Sequence, residues 1–156
     1  MKATSIANIK KELKHKSPEE LIELCLRLSK FKKENKELVT YLLFEADHEN
    51  GYIESIKQHI DTQFQAINTK SYFYIRKSVR KILTQTKKYI RYSQNKETEV
   101  ELLLYFLQVL KDFKPSYKRS AQLQNLYNRQ LALVKKTVST LHEDLQYDYN
   151  LLIENL

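Results

Sequence analysis

The sequence predicts an all-α fold of six to seven helices, joined as antiparallel hairpins into a bundle or a short α–α superhelix. Its 156 residues contain one glycine and two prolines, against roughly ten glycines and seven or eight prolines at average usage. Sheets need those residues at their many tight turns, so their scarcity favours long helices with few connections. Apolar residues recur at spacings of three and four, the period of one helix face. Three Ser/Thr-x-x-Glu patterns, at Ser17, Thr98 and Thr140, offer helix starts. The length suits one domain with its own core, and no repeat or composition shift marks a linker, so residues 1–156 read as a single domain.

Residues 5–15 place Ile6, Ile9 and Leu13 on one side of a short helix. At Ser17-Pro18-Glu19-Glu20 a capping serine precedes proline at the first helical position and glutamate three residues after the cap. Hydroxyl and carboxylate satisfy orphan amides reciprocally, and proline has no amide to leave unpaired. The helix that follows, to about Lys30, carries Leu21, Leu24, Cys25 and Leu28, with Ile22 and Leu26 widening the stripe. So broad an apolar face is expected at the centre of the core.

A third helix is expected over residues 35–46, with Leu38, Val39, Leu42 and Leu43. A polar turn from Asp47 to Gly51 then leads to a fourth over residues 52–66, with Ile53, Ile56, Ile60 and Phe64 in register. A basic helix runs from Ser71 to about Ser93. Thr98 with Glu101 opens the next, through Leu102, Leu103, Phe106, Val109 and Leu110, which Pro115 stops by disfavouring helical geometry in the residue before it. From Tyr117 to Leu156 there is no proline or glycine. A single helix there would be about 60 Å long, twice a small domain's width. The weak helical run Thr137-Val138-Ser139-Thr140 and the capping pattern at Thr140 place a break near 139–141.

The formal net charge is +8, which favours an anionic partner: nucleic acid, a membrane surface or an acidic protein. Its distribution says more than its size. Lys70, Arg76, Lys77, Arg80, Lys81, Lys87, Lys88, Arg91 and Lys96 fall between positions 70 and 96, a stretch without aspartate or glutamate. At about 100° per residue, the seven from Arg76 to Arg91 share an arc of about 140°, with Ile75, Val79, Ile82, Leu83 and Ile90 opposite. Tyr74 and Tyr92 lie beside this stripe, and Phe73 projects along it near its start. Solvated faces ordinarily mix both signs, so a one-sign stripe needs an explanation.

Two explanations compete. Acidic segments of the same fold would neutralise the stripe: Glu45, Asp47, Glu49, Glu54 and Asp61, or Glu143, Asp144, Asp148 and Glu154 in the tail. Alternatively, an external polyanion would bind it through phosphates, with salt-dependent and largely sequence-independent affinity.

Other motifs carry less. Glu12 with His15, and Glu45 with His48, share the Glu-x-x-His spacing of di-iron bundles. Both sit at expected helix ends without the two further inward carboxylates such sites need, so no metal or other cofactor is expected. Cys25 reads as a small buried hydrophobe, and His59 and His142 are isolated. One glycine excludes a phosphate-cradling Gly-x-x-x-x-Gly-Lys-Ser/Thr loop. The eleven tyrosines fit core-edge packing with hydroxyls in water. Met1-Lys2-Ala3-Thr4-Ser5-Ile6 lacks the apolar run of a signal peptide and no stretch reaches the roughly 20 apolar residues of a membrane span, so a cytoplasmic location is expected.

Ile9-Lys10-Lys11-Glu12-Leu13, then Ser17-Pro18-Glu19-Glu20-Leu21-Ile22-Glu23-Leu24, and later Arg76-Lys77-Ser78-Val79-Arg80-Lys81-Ile82, resemble a family of small bacterial helical proteins of unknown function. The resemblance implies a bacterial all-α protein and carries over no active site. The sequence therefore points to a non-enzymatic binding module. Its basic helix engages a polyanion such as nucleic acid, through Arg76, Lys77, Arg80, Lys81, Lys87, Lys88 and Arg91. The alternative is a protein–protein interaction or oligomerisation module whose stripe meets acidic segments.

Overall fold

The computed structural model describes residues 1–156, and every regular element in it is helical. The α-helices are α1 (Ile6–Leu13), α2 (Pro18–Phe31), α3 (Lys33–Thr40), α4 (Glu49–Gln65), α5 (Tyr72–Ser93), α6 (Lys96–Asp112), α7 (Ala121–Val138) and α8 (Glu143–Glu154). A π-helical turn (Tyr41–Glu45) and short 3-10 turns at Ala46–His48 and Tyr117–Arg119 complete the chain. Residue contacts divide it into two compact units, Met1–Phe44 and Glu45–Leu156, where the sequence reads as one.

The second unit is built around α6. Val100, Leu102, Leu103, Phe106, Leu107 and Leu110 are all buried, on more than one side of the helix, because α4, α5 and α7 each pack against it. Glu49–Ser93 and Tyr52–Tyr89 contacts run in opposite senses along α4 and α5, so these two are antiparallel. Lys57–Glu101 and Asp61–Tyr105 contacts, each 2.7 Å, advance together, so α4 and α6 are parallel. The three form an up-down-up bundle, which α7 extends across α6 and α8 extends against α7.

Phe64 of α4 packs on Phe106 and Phe113, with centroids 5.7 and 5.6 Å away. The Tyr72 hydroxyl donates to the Ser116 carbonyl at 2.8 Å, fixing the start of α5 to the segment before α7. Tyr117 and Tyr127 stack at 4.6 Å under that segment, a pairing worth about 0.5–1.5 kcal/mol beyond its area.

In the first unit only Tyr41 is buried; α1, α2 and α3 bury no residue. The expectation that α2 lies at the core is therefore corrected. Its apolar width is real, but within its own unit the packing of α3 leaves every residue of it unburied, and Cys25 is exposed. α2 and α3 pack against each other across Lys32, whose extended backbone separates them, and Asn35 donates to the Leu28 carbonyl at 2.8 Å.

The three capping patterns fare differently. At Ser17 both bonds form: the hydroxyl accepts from the Glu20 amide at 3.2 Å and the Glu20 carboxylate from the Ser17 amide at 3.0 Å. Asn95, not Thr98, caps α6, accepting from the Glu97 amide at 2.9 Å. Thr98 is buried and its hydroxyl donates instead to Glu49 at 2.6 Å. His142 caps α8, while the Thr140 hydroxyl turns back to the Thr137 carbonyl. The helix is interrupted between Val138 and Glu143. Gly51 is not a turn residue: it lies in the first turn of α4, with no positive-φ glycine in the chain.

Candidate polyanion-binding face

α5 forms because its apolar residues recur on one side for more than four turns. Ile75, Val79, Ile82, Leu83 and Ile90 are all buried, joined by Thr86, whose hydroxyl bonds back to the Ile82 carbonyl at 2.9 Å. The helix ends at Gln94, whose left-handed backbone (φ 54°) lets its amide reach the Ile90 carbonyl at 3.1 Å.

Docking that side turns the cations outward. Lys77, Arg80, Lys81 and Arg91 are exposed, and Arg76, Lys87 and Lys88 are half-buried. Arg76, Lys77, Arg80, Lys81, Lys87 and Arg91 form no ion pair. Lys88 lies over the Tyr89 ring, 5.0 Å from its centroid, and Tyr89 meets Tyr92 and His59 edge-on. Near the helix start Phe73 is 62% exposed and Tyr74 45%, in a T-shaped pair at 5.5 Å.

Two of the acidic residues that would silence this face, Glu54 and Asp61, are engaged away from it, and a third, Glu49, meets α5 at its Ser93 end. Glu54 pairs with Lys57 at 2.8 Å, and Asp61 accepts from the Tyr105 hydroxyl. Glu49 accepts from Ser93 and Thr98. The tail helix α8 is held to α7, and Tyr149 donates to Glu97 of α6 at 3.3 Å.

One part of the face is concave. Thr84, Lys87, Ile90 and Arg91 of α5 face Glu99 and Leu103 of α6 and Leu133 of α7 across a cleft of about 390 Å³. Burial there lowers the Lys87 pKa; Glu99 opposes that shift and Arg129 of α7 adds to it. Arg129 is thus a cation of this surface that the linear sequence does not reveal. It stands 38 positions beyond Arg91, and only the docking of α7 across α6 brings it near. Nothing local in the sequence marks it.

A second cleft, of about 480 Å³, lies among α4, α6 and α8 and includes Lys57, Glu97, Glu101, Tyr105, Asp148 and Tyr149. Along one line of α6, at four-residue spacing, Glu97 accepts from Tyr149, Glu101 from Lys57, and Tyr105 donates to Asp61. Burial, then the Asp61 hydrogen bond, push the Tyr105 hydroxyl up to about 12; burial and Glu97 push Tyr149 up as well. Burial lowers Lys57, but its bonds to Glu101 and Glu54 outweigh this and hold it above the usual lysine value. These polar groups satisfy one another and tie three helices together. Glu12 and His15, like Glu45 and His48, gather no further ligands, and no group of three His, Cys, Asp or Glu is placed to hold a metal.

No helix is long and apolar enough to cross a membrane. The chain matches no protein-family model, no curated protein and no solved structure.

Proposed function

We propose that this protein is a non-enzymatic binding module whose α5 face engages a polyanion, nucleic acid foremost, through its phosphates. One observation carries the reading: six of the seven stripe cations form no ion pair within 4 Å, and only Lys87 among them has a carboxylate, Glu99, across a cleft from it. Cations crowded on one side of a helix repel one another, and an external row of phosphates removes that repulsion while releasing condensed counterions. The stripe from Arg76 to Arg91 is about 22 Å long, enough to follow several consecutive phosphates. No side chain on it forms a groove-reading module, so affinity would depend on salt far more than on sequence. A cytoplasmic setting, and the bacterial one that the family resemblance implies, would supply such a ligand.

The test is fluorescence anisotropy with labelled mixed-sequence DNA, single-stranded and duplex, at low salt. Reversal of the four exposed cations, K77E/R80E/K81E/R91E, should abolish binding without loss of helicity, since none of these side chains is buried. Equal binding by the reversed protein would reject the proposal.

A further inference from the structure

The basic face of α5 begins with an aromatic residue, Phe73, the second of the helix. At about 100° per residue it points in the same direction as Arg91, within about 20° of Arg80 and about 40° of Lys77. Along the axis it stands about 6 Å before Lys77 and about 10 Å before Arg80. Its side chain is 62% exposed, and the rings of Phe73 and Tyr74 stand at 78°, so neither stacks over the other. The backbone beneath is fixed, because the neighbouring Tyr72 hydroxyl donates to the Ser116 carbonyl at 2.8 Å. A phosphate gains nothing from a phenyl ring in a row of cations, whereas every nucleobase has a π-face to lay on one.

We propose that the polyanion of the α5 face is a single-stranded nucleic acid, with one base stacked on Phe73 and the phosphates that follow on Lys77, Arg80 and Arg91. This rests on the reading of α5 as a phosphate-binding face and adds the feature that selects the strand. A duplex laid along the helix presents its backbone and keeps its bases stacked inside, so it meets only the cations. An unpaired strand can turn its bases out onto an aromatic side chain. The far end of the stripe fits the same ligand. About 25 Å beyond Phe73, Ile90, Leu103 and Leu133 line the cleft between Lys87 and Glu99. Glu99, which accepts from the Thr137 hydroxyl at 3.3 Å, repels a phosphate but accepts from the N–H groups on an unpaired base edge. Features suited to bases therefore stand at both ends of the cations.

The experiment is fluorescence anisotropy of the full chain at low salt with three DNA probes: a mixed-sequence single strand, its duplex, and a single strand of equal length made of abasic sites, which keeps the phosphates and lacks the bases. The wild-type protein should bind the ordinary strand at least about fivefold more tightly than the abasic one. F73A should lose at least about fivefold on the ordinary strand and less than about twofold on the other two. Its helicity should be unchanged, because the ring is exposed and alanine favours the helix. F73W should keep the affinity for the ordinary strand, and F73L should lose it. The chain has no tryptophan, so the indole of F73W reports on the platform, and the ordinary strand should quench it where the abasic strand does not. Equal wild-type binding of the ordinary and abasic strands overturns the proposal. So does an F73A loss that is absent or shared by all three probes, an F73L that binds as well as F73W, or an indole that the ordinary strand leaves unquenched. Those results leave the cationic face standing. That reading fails separately, if K77E/R80E/K81E/R91E still binds the duplex as the wild type does.

Discussion

Replacing Arg80 by glutamine removes one cation from the middle of the α5 face while leaving its aliphatic stem and the helix intact. Arg80 is exposed, forms no ion pair, and lies in line with Lys77 and Arg91. If the face follows about four phosphates, log K should fall with log salt at a slope of about −3.6 on duplex DNA. That is a loss of about 150-fold between 50 and 200 mM salt at the same slope. The R80Q variant should lower the slope to about −2.7 and the loss to about 40-fold, uniformly across DNA sequences. Anisotropy titrations at four or five salt concentrations measure both slopes. An unchanged slope would show that Arg80 faces no phosphate, and a loss confined to one DNA sequence would refute backbone recognition.

Phe106 is fully buried where Phe64 meets α6, and Phe106→Ala should lower unfolding free energy by about 3–5 kcal/mol in chemical denaturation. Gly51 is helical, and a Cβ there meets nothing within 4 Å, so Gly51→Ala should stabilise the second unit by about 0.4–1 kcal/mol in the same assay. With Tyr105 pushed up to about 12 from the usual 10.0, its neutral form is favoured by folding. The stability it adds is complete below pH 10 and is lost as pH rises from about 10 to about 12. Tyr105→Phe should remove that part of the alkaline transition and the corresponding phenolate absorbance step; an identical pH profile would show that Asp61 does not hold the hydroxyl.

α5 was legible because one property repeats along it. The same sequence periodicity that buries Ile75, Val79 and Ile82 points Lys77, Arg80 and Arg91 away, so both its docking and its charge follow from spacing alone. The Ser17 cap was legible because its partners lie within three residues and Pro18 fixes the chain between them. Thr98 carried the same local pattern but lost to a distant competitor, Glu49, once α4 and α6 came together. Gly51 looked like a turn from its flanking polar residues, yet one glycine in a first helical turn costs only about 1 kcal/mol, which tertiary packing overrides. α2 exposes the sharper limit. Apolar width tells that a face must be covered, not what covers it, and a core reading assumes a cover within the same chain. Arg129 was invisible for the opposite reason: its role depends on which helix crosses α6, and no local residue pattern encodes that crossing.

On the proposed reading the α5 face, rather than basic residues elsewhere, meets the polyanion. Lysine acylation of the full chain, read by peptide mass spectrometry with and without saturating DNA at low salt, tests it most directly. Lys77 and Lys81 should lose reactivity in the complex, while Lys111, which donates to the Asn155 carbonyl beside α8, keeps its own. Bound DNA that leaves Lys77 and Lys81 as reactive as before would contradict the account.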